Sequence, residues 1–157
     1  MKHSEITKIV WEKYFPLGAF LVIAITLLQF KTNLIINLSN DSMSALLTVN
    51  GILLGFVSSI MSNILTISSS PIIQKMKESF TKKGMNRYDE LIMIINNARF
   101  WNLLSLCGGM LLLLLPNTQP EDLVCYALKA VFLSLMIVSI FTFYLATSLV
   151  DKTLGNT

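Results

Sequence analysis

Four apolar runs, at about 15–30, 44–67, 98–115 and 123–150, alternate with short polar segments along the chain. A helix needs roughly 20 mostly apolar residues, within about 17–25, to cross the hydrocarbon core of a bilayer. The pattern therefore predicts four membrane spans. Residues 11–14 complete the short first run, so the spans fall at about 12–30, 44–67, 98–115 and 123–150, the last long enough to tilt. The first run lacks the small-residue cleavage site of a signal peptide, and LLQFKTN follows it directly, so it reads as a retained helix. The expected fold is an all-α integral membrane bundle of four transmembrane helices, a single membrane domain over residues 1–157.

Polar positions in the second run are ordered. Thr48, Gly51, Gly55, Ser59, Ser62, Thr66 and Ser69 follow one another at steps of three or four, which puts them on one narrow helix face made only of small residues. Lipid tails give little hydrophobic push between helices, so close backbone approach and hydroxyls that bond across hold spans together. Gly51 and Gly55 form a G-x-x-x-G pair inside this stripe. The third run carries a similar face in Ala98, Asn102, Ser105 and Gly109. Two arrangements are open at this point. The small faces of spans two and three meet within the chain, or the stripe faces a subunit axis or a water-filled path.

Charge sets the orientation. Lys2, Lys8 and Lys13 precede span one; Lys75, Lys77, Lys82, Lys83, Arg87 and Arg99 lie between spans two and three; Lys152 follows span four. These make ten of the twelve basic residues. The positive-inside rule puts both termini and the middle segment in the cytoplasm, with 31–43 and 116–122 outside. Trp11, Tyr14, Phe15, Phe100 and Trp101 mark the inner boundary, and Pro116 and Pro120 bracket a tight outer turn. Arg99 reads as a headgroup anchor. Lys129 is the one charge well inside a span: either it snorkels to the outer boundary, or it serves a subunit contact or an ion path.

The middle segment, 71–98, is patterned as a helical hairpin. Pro71 suits a first helical turn. Ile73, Met76 and Phe80 then share one face, with Lys75, Lys77 and Lys82 elsewhere. TKKGMN reads as a turn with Gly84 as a helix stop, and Asn86, with Asp89 three residues on, caps a second helix that runs straight into span three. Helices two and three are thus expected to extend into a cytoplasmic helical hairpin. Its apolar residues Ile73, Met76, Phe80, Leu91, Ile92 and Ile95 are buried by the two arms and neighbouring subunits, or they dock a soluble cytoplasmic protein.

Composition agrees with a membrane protein: 54% of residues are hydrophobic and 13% charged, against roughly 25% charged in soluble domains. A formal charge of +3 is too small for a nucleic-acid footprint, so no direct nucleic-acid partner is expected. Cys107 and Cys125 lie in different apolar runs and read as small buried hydrophobes, without a disulfide. The single histidine, His3, supports no Ser–His–Asp or Cys–His constellation, and no Cys/His metal spacing or glycine-rich phosphate loop is present in the sequence. The pairs Asp89–Glu90 and Glu121–Asp122 are not disposed as acid–base machinery. No catalytic residue, metal ligand or cofactor is expected, and the chain reads as no enzyme.

The size, the four spans, the inside termini and the long second and third helices together resemble the membrane subunit of the Kiwa antiphage system, a likeness of topology over the whole chain. That resemblance implies a homo-oligomer in a bacterial inner membrane, paired with a cytoplasmic DNA-sensing protein. The expected function is a non-enzymatic oligomeric platform that anchors a cytoplasmic partner and responds to events at the bilayer, in antiphage defence. The alternatives are a small channel or holin-like pore, with the stripe lining the path, or an accessory subunit of a transporter.

Overall fold

The computed structural model describes residues 3–30, 35, 38–80, 85–114 and 123–154, with side chains described for all of these except 3–13 and 152–154. The chain forms five helices over that span: α1 (His3–Phe30), α2 (Asn40–Thr66), α3 (Pro71–Glu78), α4 (Arg87–Leu114) and α5 (Leu123–Leu154). No sheet is present among the described residues; one isolated antiparallel bridge pairs Phe80 with Asn86. Helices α2, α4 and α5 are each long and apolar enough to cross a bilayer. The apolar part of α1, Tyr14–Phe30, is shorter, although the helix itself runs 28 residues through Pro16. The architecture is that of a multi-pass helical membrane protein. Pro116, Pro120, Gly84, Lys82 and Lys83, which carried the expected turns and part of the basic patch, lie outside the described residues.

Cap chemistry fixes the helix ends. Ser39 is the N-cap of α2: its Oγ accepts from the Ser42 amide at 3.1 Å, and Asp41 adds a negative charge to the positive end of the helix dipole. This starts the helix ahead of the apolar run that predicted it. At the other end the Ile67 amide donates to Asn63 O at 3.0 Å and the Ser70 amide to Ile67 O at 2.8 Å, a tight turn that stops α2 at Thr66. Ser70 then caps α3, with Pro71 in the first turn as expected. The Asn86 side chain accepts from the Asp89 amide at 2.7 Å and opens α4, which continues unbroken through the third apolar run.

The hairpin therefore has one long arm, α4, and one short arm, α3. Because α3 ends at Glu78 and Ser79 is extended, Phe80 falls beyond the helix and off the face of Ile73 and Met76; it is 71% exposed. The expectation of one shared face for the three residues is corrected on that ground.

Helix α5 is the centre of the bundle. It packs along α4, α1 and α2, while α2 and α3 also pack on α4. Half of its spanning window is buried, 50%, against 22% for α2 and 28% for α4. Leu47, Tyr126, Phe132 and Met136 centre the core at the end where α2 and α5 begin. Val57, Ile64, Ile73, Leu91, Ile95 and Ala146 form the core at the opposite end, where α4 begins. Trp101, Leu135 and Val138 bind α1 through Ala19, Phe20 and Ile23.

Candidate functional site

Which face of α2 is buried decides the fate of the small-residue stripe. The buried positions are Met43, Leu47, Asn50, Val57 and Ile64, and the partly buried Leu54 and Met61 complete steps of four and three. This is a seam of large side chains, the spacing of a helix laid along an antiparallel neighbour. The stripe is rotated from it by one residue, about 100° of turn. Thr48, Gly55, Ser59, Ser62, Thr66 and Ser69 are accordingly exposed and Gly51 is half-buried. A Cβ added at Gly51 or Gly55 would meet nothing within 4 Å. The small faces of the second and third runs do not meet, which corrects the intramolecular reading. The stripe is left facing outward, between Ile52 and Phe56, which are also exposed. Thr48 and Thr66 donate to Ser44 O and Ser62 O in their own helix, each at 2.9 Å. Those hydroxyls are satisfied without water.

The matching face of α4 is buried as a packing surface, but against the seam. Ala98, Asn102 and Ser105 are fully enclosed. Gly109 is also buried, and a Cβ there would collide with the side chains of Leu47 and Phe132. Side chains of two other helices, α2 and α5, close over this glycine.

One turn or two along, the same crossing holds a polar node. Asn50 Nδ2 donates to Asn102 O at 2.8 Å, Ser139 Oγ donates to Asn50 Oδ1 at 2.7 Å, and Asn102 Nδ2 donates to Ala98 O at 2.7 Å. Asn50, Asn102, Ser105 and Ser139 are all fully buried. The node ties α2, α4 and α5 together in mid-bundle. The sequence reading found Asn102 and Ser105 but passed over Asn50 and Ser139. The signal for Asn50 was its register: it falls in step with Met43, Leu47 and Val57, on the aliphatic seam and off the stripe.

Two further side chains hold loose backbone ends. Lys129 Nζ donates to Leu38 O at 2.9 Å, just ahead of the α2 cap. The lysine reaches toward the end of its span, and a carbonyl of its own chain receives it there. Tyr126 donates from its hydroxyl to Leu27 O at 2.6 Å, a carbonyl in the last turn of α1.

Most of the apolar hairpin surface is spent inside the chain. Ile73, Leu91 and Ile95 are fully buried and Met76 is buried, all in one cluster with Val57 and Ile64 of α2. Of the six residues expected to be buried by the arms or to dock a partner, Ile92 is half-buried and Phe80 is open. Lys77 Nζ lies 4.9 Å from the centre of the Tyr88 ring, a cation–π contact across the hairpin.

Two further expectations change. Trp101 is only 6% exposed and stacks obliquely on Phe20, with ring centres 5.9 Å apart, so it is a packing residue between α1 and α4; Phe100 and Tyr14 are exposed, as boundary aromatics are. Cys107 is exposed and Cys125 half-buried, in contrast to the expected burial of both, and each is a free thiol. Among the described residues no group of three His, Cys, Asp or Glu side chains is placed to hold a metal ion. Compared with known proteins, the chain matches no family model, no curated protein and no solved structure.

Proposed function

We propose that this protein is a non-enzymatic four-span protein of a bacterial inner membrane, with both termini in the cytoplasm, that self-associates through the outward face of α2 and serves as a platform for a cytoplasmic protein. The observation that carries the reading is the open stripe. A face of glycines and small hydroxyl residues, with the Thr48 and Thr66 hydroxyls satisfied in their own helix and no Cβ contact at Gly51 or Gly55, is suited to close approach by another helix. Among the described residues, the chain's own helices leave it open. Symmetric self-association is the common way a small membrane bundle covers such a face.

Helix α1 is taken as the fourth span. It lies against α5, and Leu17, Leu21, Val22, Ile25 and Leu28 along it are exposed, as lipid-facing residues are. The excess of lysine and arginine around the α3–α4 hairpin supports a cytoplasmic position for that end. There Phe80 and Ile92 remain as the apolar contacts offered to a partner. The topological likeness to the Kiwa membrane subunit supports antiphage defence as the process.

The test is the mass of the protein in mild detergent and energy transfer between labelled copies in vesicles. Gly51→Leu combined with Gly55→Leu is expected to leave the fold intact and abolish the oligomer; an oligomer that survives both changes sinks the reading. Co-purification with genomic neighbours should recover a soluble protein that Phe80→Glu releases. A second reading, a pore, is favoured by the exposed hydroxyls of Ser59 and Ser62, which would line a path if the stripe faced the symmetry axis. Ion flux from liposomes holding the purified protein alone supports the pore; tight liposomes support the platform.

A further inference from the structure

We propose that a single internal water molecule is bound between Asn102 and Ser105 where α2, α4 and α5 cross. This inference stands independently of the oligomer and partner reading.

Hydrogen-bond bookkeeping leads to it. Asparagine has two amide hydrogens to give and a carbonyl oxygen that accepts; serine has one hydroxyl hydrogen and two lone pairs. Around the node most of this capacity is used. Both Asn50 functions are engaged, the amide on Asn102 O and the carbonyl under Ser139 Oγ, and the Asn102 amide is engaged on Ala98 O. Two atoms remain: Asn102 Oδ1 and Ser105 Oγ are buried and have no partner. They lie three residues apart on one helix, hence on one face.

Other hydroxyls of the core behave differently. Ser134 donates to Ala130 O at 2.7 Å and Thr142 to Ser139 O at 3.0 Å, each closing its own account within α5. Exchanging the oxygen and nitrogen of the Asn102 amide does not repair the deficit, because it would turn a carbonyl toward Ala98 O and leave two hydrogens stranded in its place. In a bilayer interior no bulk solvent is at hand, and a stranded buried polar atom is costly. Internal waters occur where such atoms gather, typically with about three hydrogen bonds each.

The chemistry of the pair selects water over other occupants. Complete enclosure of Asn102 and Ser105 excludes a lipid group or a peptide side chain from another copy. Hard divalent cations want about six or more oxygens, usually with carboxylates among them, whereas this pair offers two neutral oxygens. A water molecule gives one hydrogen to Asn102 Oδ1 and takes the hydroxyl hydrogen of Ser105, which satisfies both atoms.

Magic-angle-spinning NMR of the labelled full-length protein in deuterated lipid bilayers tests this through magnetisation transfer from water. Transfer to the Asn102 side chain and to Ser105 is expected, with none to the equally buried Ser134 and Thr142. Ser105→Thr keeps the hydroxyl and should keep the transfer to Asn102; Ser105→Val has nearly the same shape without the hydroxyl and should lose it. Replacing sodium and potassium by N-methylglucamine should change nothing. No transfer at Asn102 in the wild-type protein overturns the proposal. So does a resonance at Asn102 or Ser105 that titrates with either cation, since a metal would then hold the place. The wild-type spectrum and Ser105→Thr decide the matter even if Ser105→Val fails to fold.

Discussion

Glycine plays two opposite parts in this molecule, and the difference is one of distance. At Gly109 the missing side chain is filled by Leu47 of α2 and Phe132 of α5; at Gly51 and Gly55 nothing stands in the gap. Forcing a methyl group into a packed crossing costs about 1–3 kcal/mol, through displaced rotamers and backbone. Gly109→Ala is therefore expected to destabilise the monomeric bundle by about that amount in a reversible detergent-unfolding titration. Gly51→Ala should leave the same titration unchanged. Equal effects at the two sites would mean that the crossing at Gly109 is looser than the geometry of Leu47 and Phe132 implies. Asn50 makes a related point about polarity. In the second apolar run it looks like one more interruption among Thr48, Gly51 and Ser58. Its position in the seam sets it apart, and only the arrival of Ser139 and the Asn102 carbonyl from other helices shows what its amide is for.

Helix positions were largely legible in the sequence, and helix rotations were not. Apolar runs and the polar breaks between them located α2, α4 and α5, and Pro71 and Asn86 announced the starts of α3 and α4. Periodicity also revealed a genuine face in Thr48 to Thr66. It could not say which neighbour that face would meet, because the large residues Met43, Leu47, Val57 and Ile64 follow the same three-and-four spacing one residue away. Both faces are periodic; the shape of α4, with Gly109 open to Leu47, selects the large one for the interior. Phe80 was misplaced for a simpler reason. The helical pattern of Ile73 and Met76 does not continue past Ser79, where the backbone becomes extended. Caps matter at this scale. Removing the Ser39 hydroxyl by Ser39→Ala takes away the acceptor for the Ser42 amide, a change worth about 1 kcal/mol in helices generally. Faster hydrogen exchange is expected in the first turn of α2, at Ser42 and Met43, with rates near Val57 unaltered. Unchanged exchange at the first turn would show that the Lys129 contact with Leu38 O secures that end by itself.

For the molecule as a whole, orientation is the claim most open to direct measurement. Phe80 is exposed at the end of the bundle proposed to face the cytoplasm, so a Phe80→Cys variant in a Cys107→Ser, Cys125→Ser background gives a single reporter. A membrane-impermeant maleimide should label it in inside-out vesicles and leave it untouched in intact cells freed of their outer layers. Labelling from the outside would invert the topology and remove the hairpin as a platform for a cytoplasmic protein. The bundle is also unequal in how its helices depend on one another. Half of the α5 span is buried, while α2 and α4 each bury about a quarter of theirs. Synthesis proceeds from the N-terminus, so the post around which the others gather is the last of these helices to leave the ribosome. Until then α1 lacks its principal neighbour, Asn50 has no Ser139 to meet, and Gly109 has no Phe132 beside it. Docking of α1 and completion of the polar node therefore wait for α5, whereas α2, α3 and α4 can pack on one another beforehand. A nascent chain stalled before residue 123 would be inserted with α1 undocked and the node incomplete, a substrate for membrane proteases.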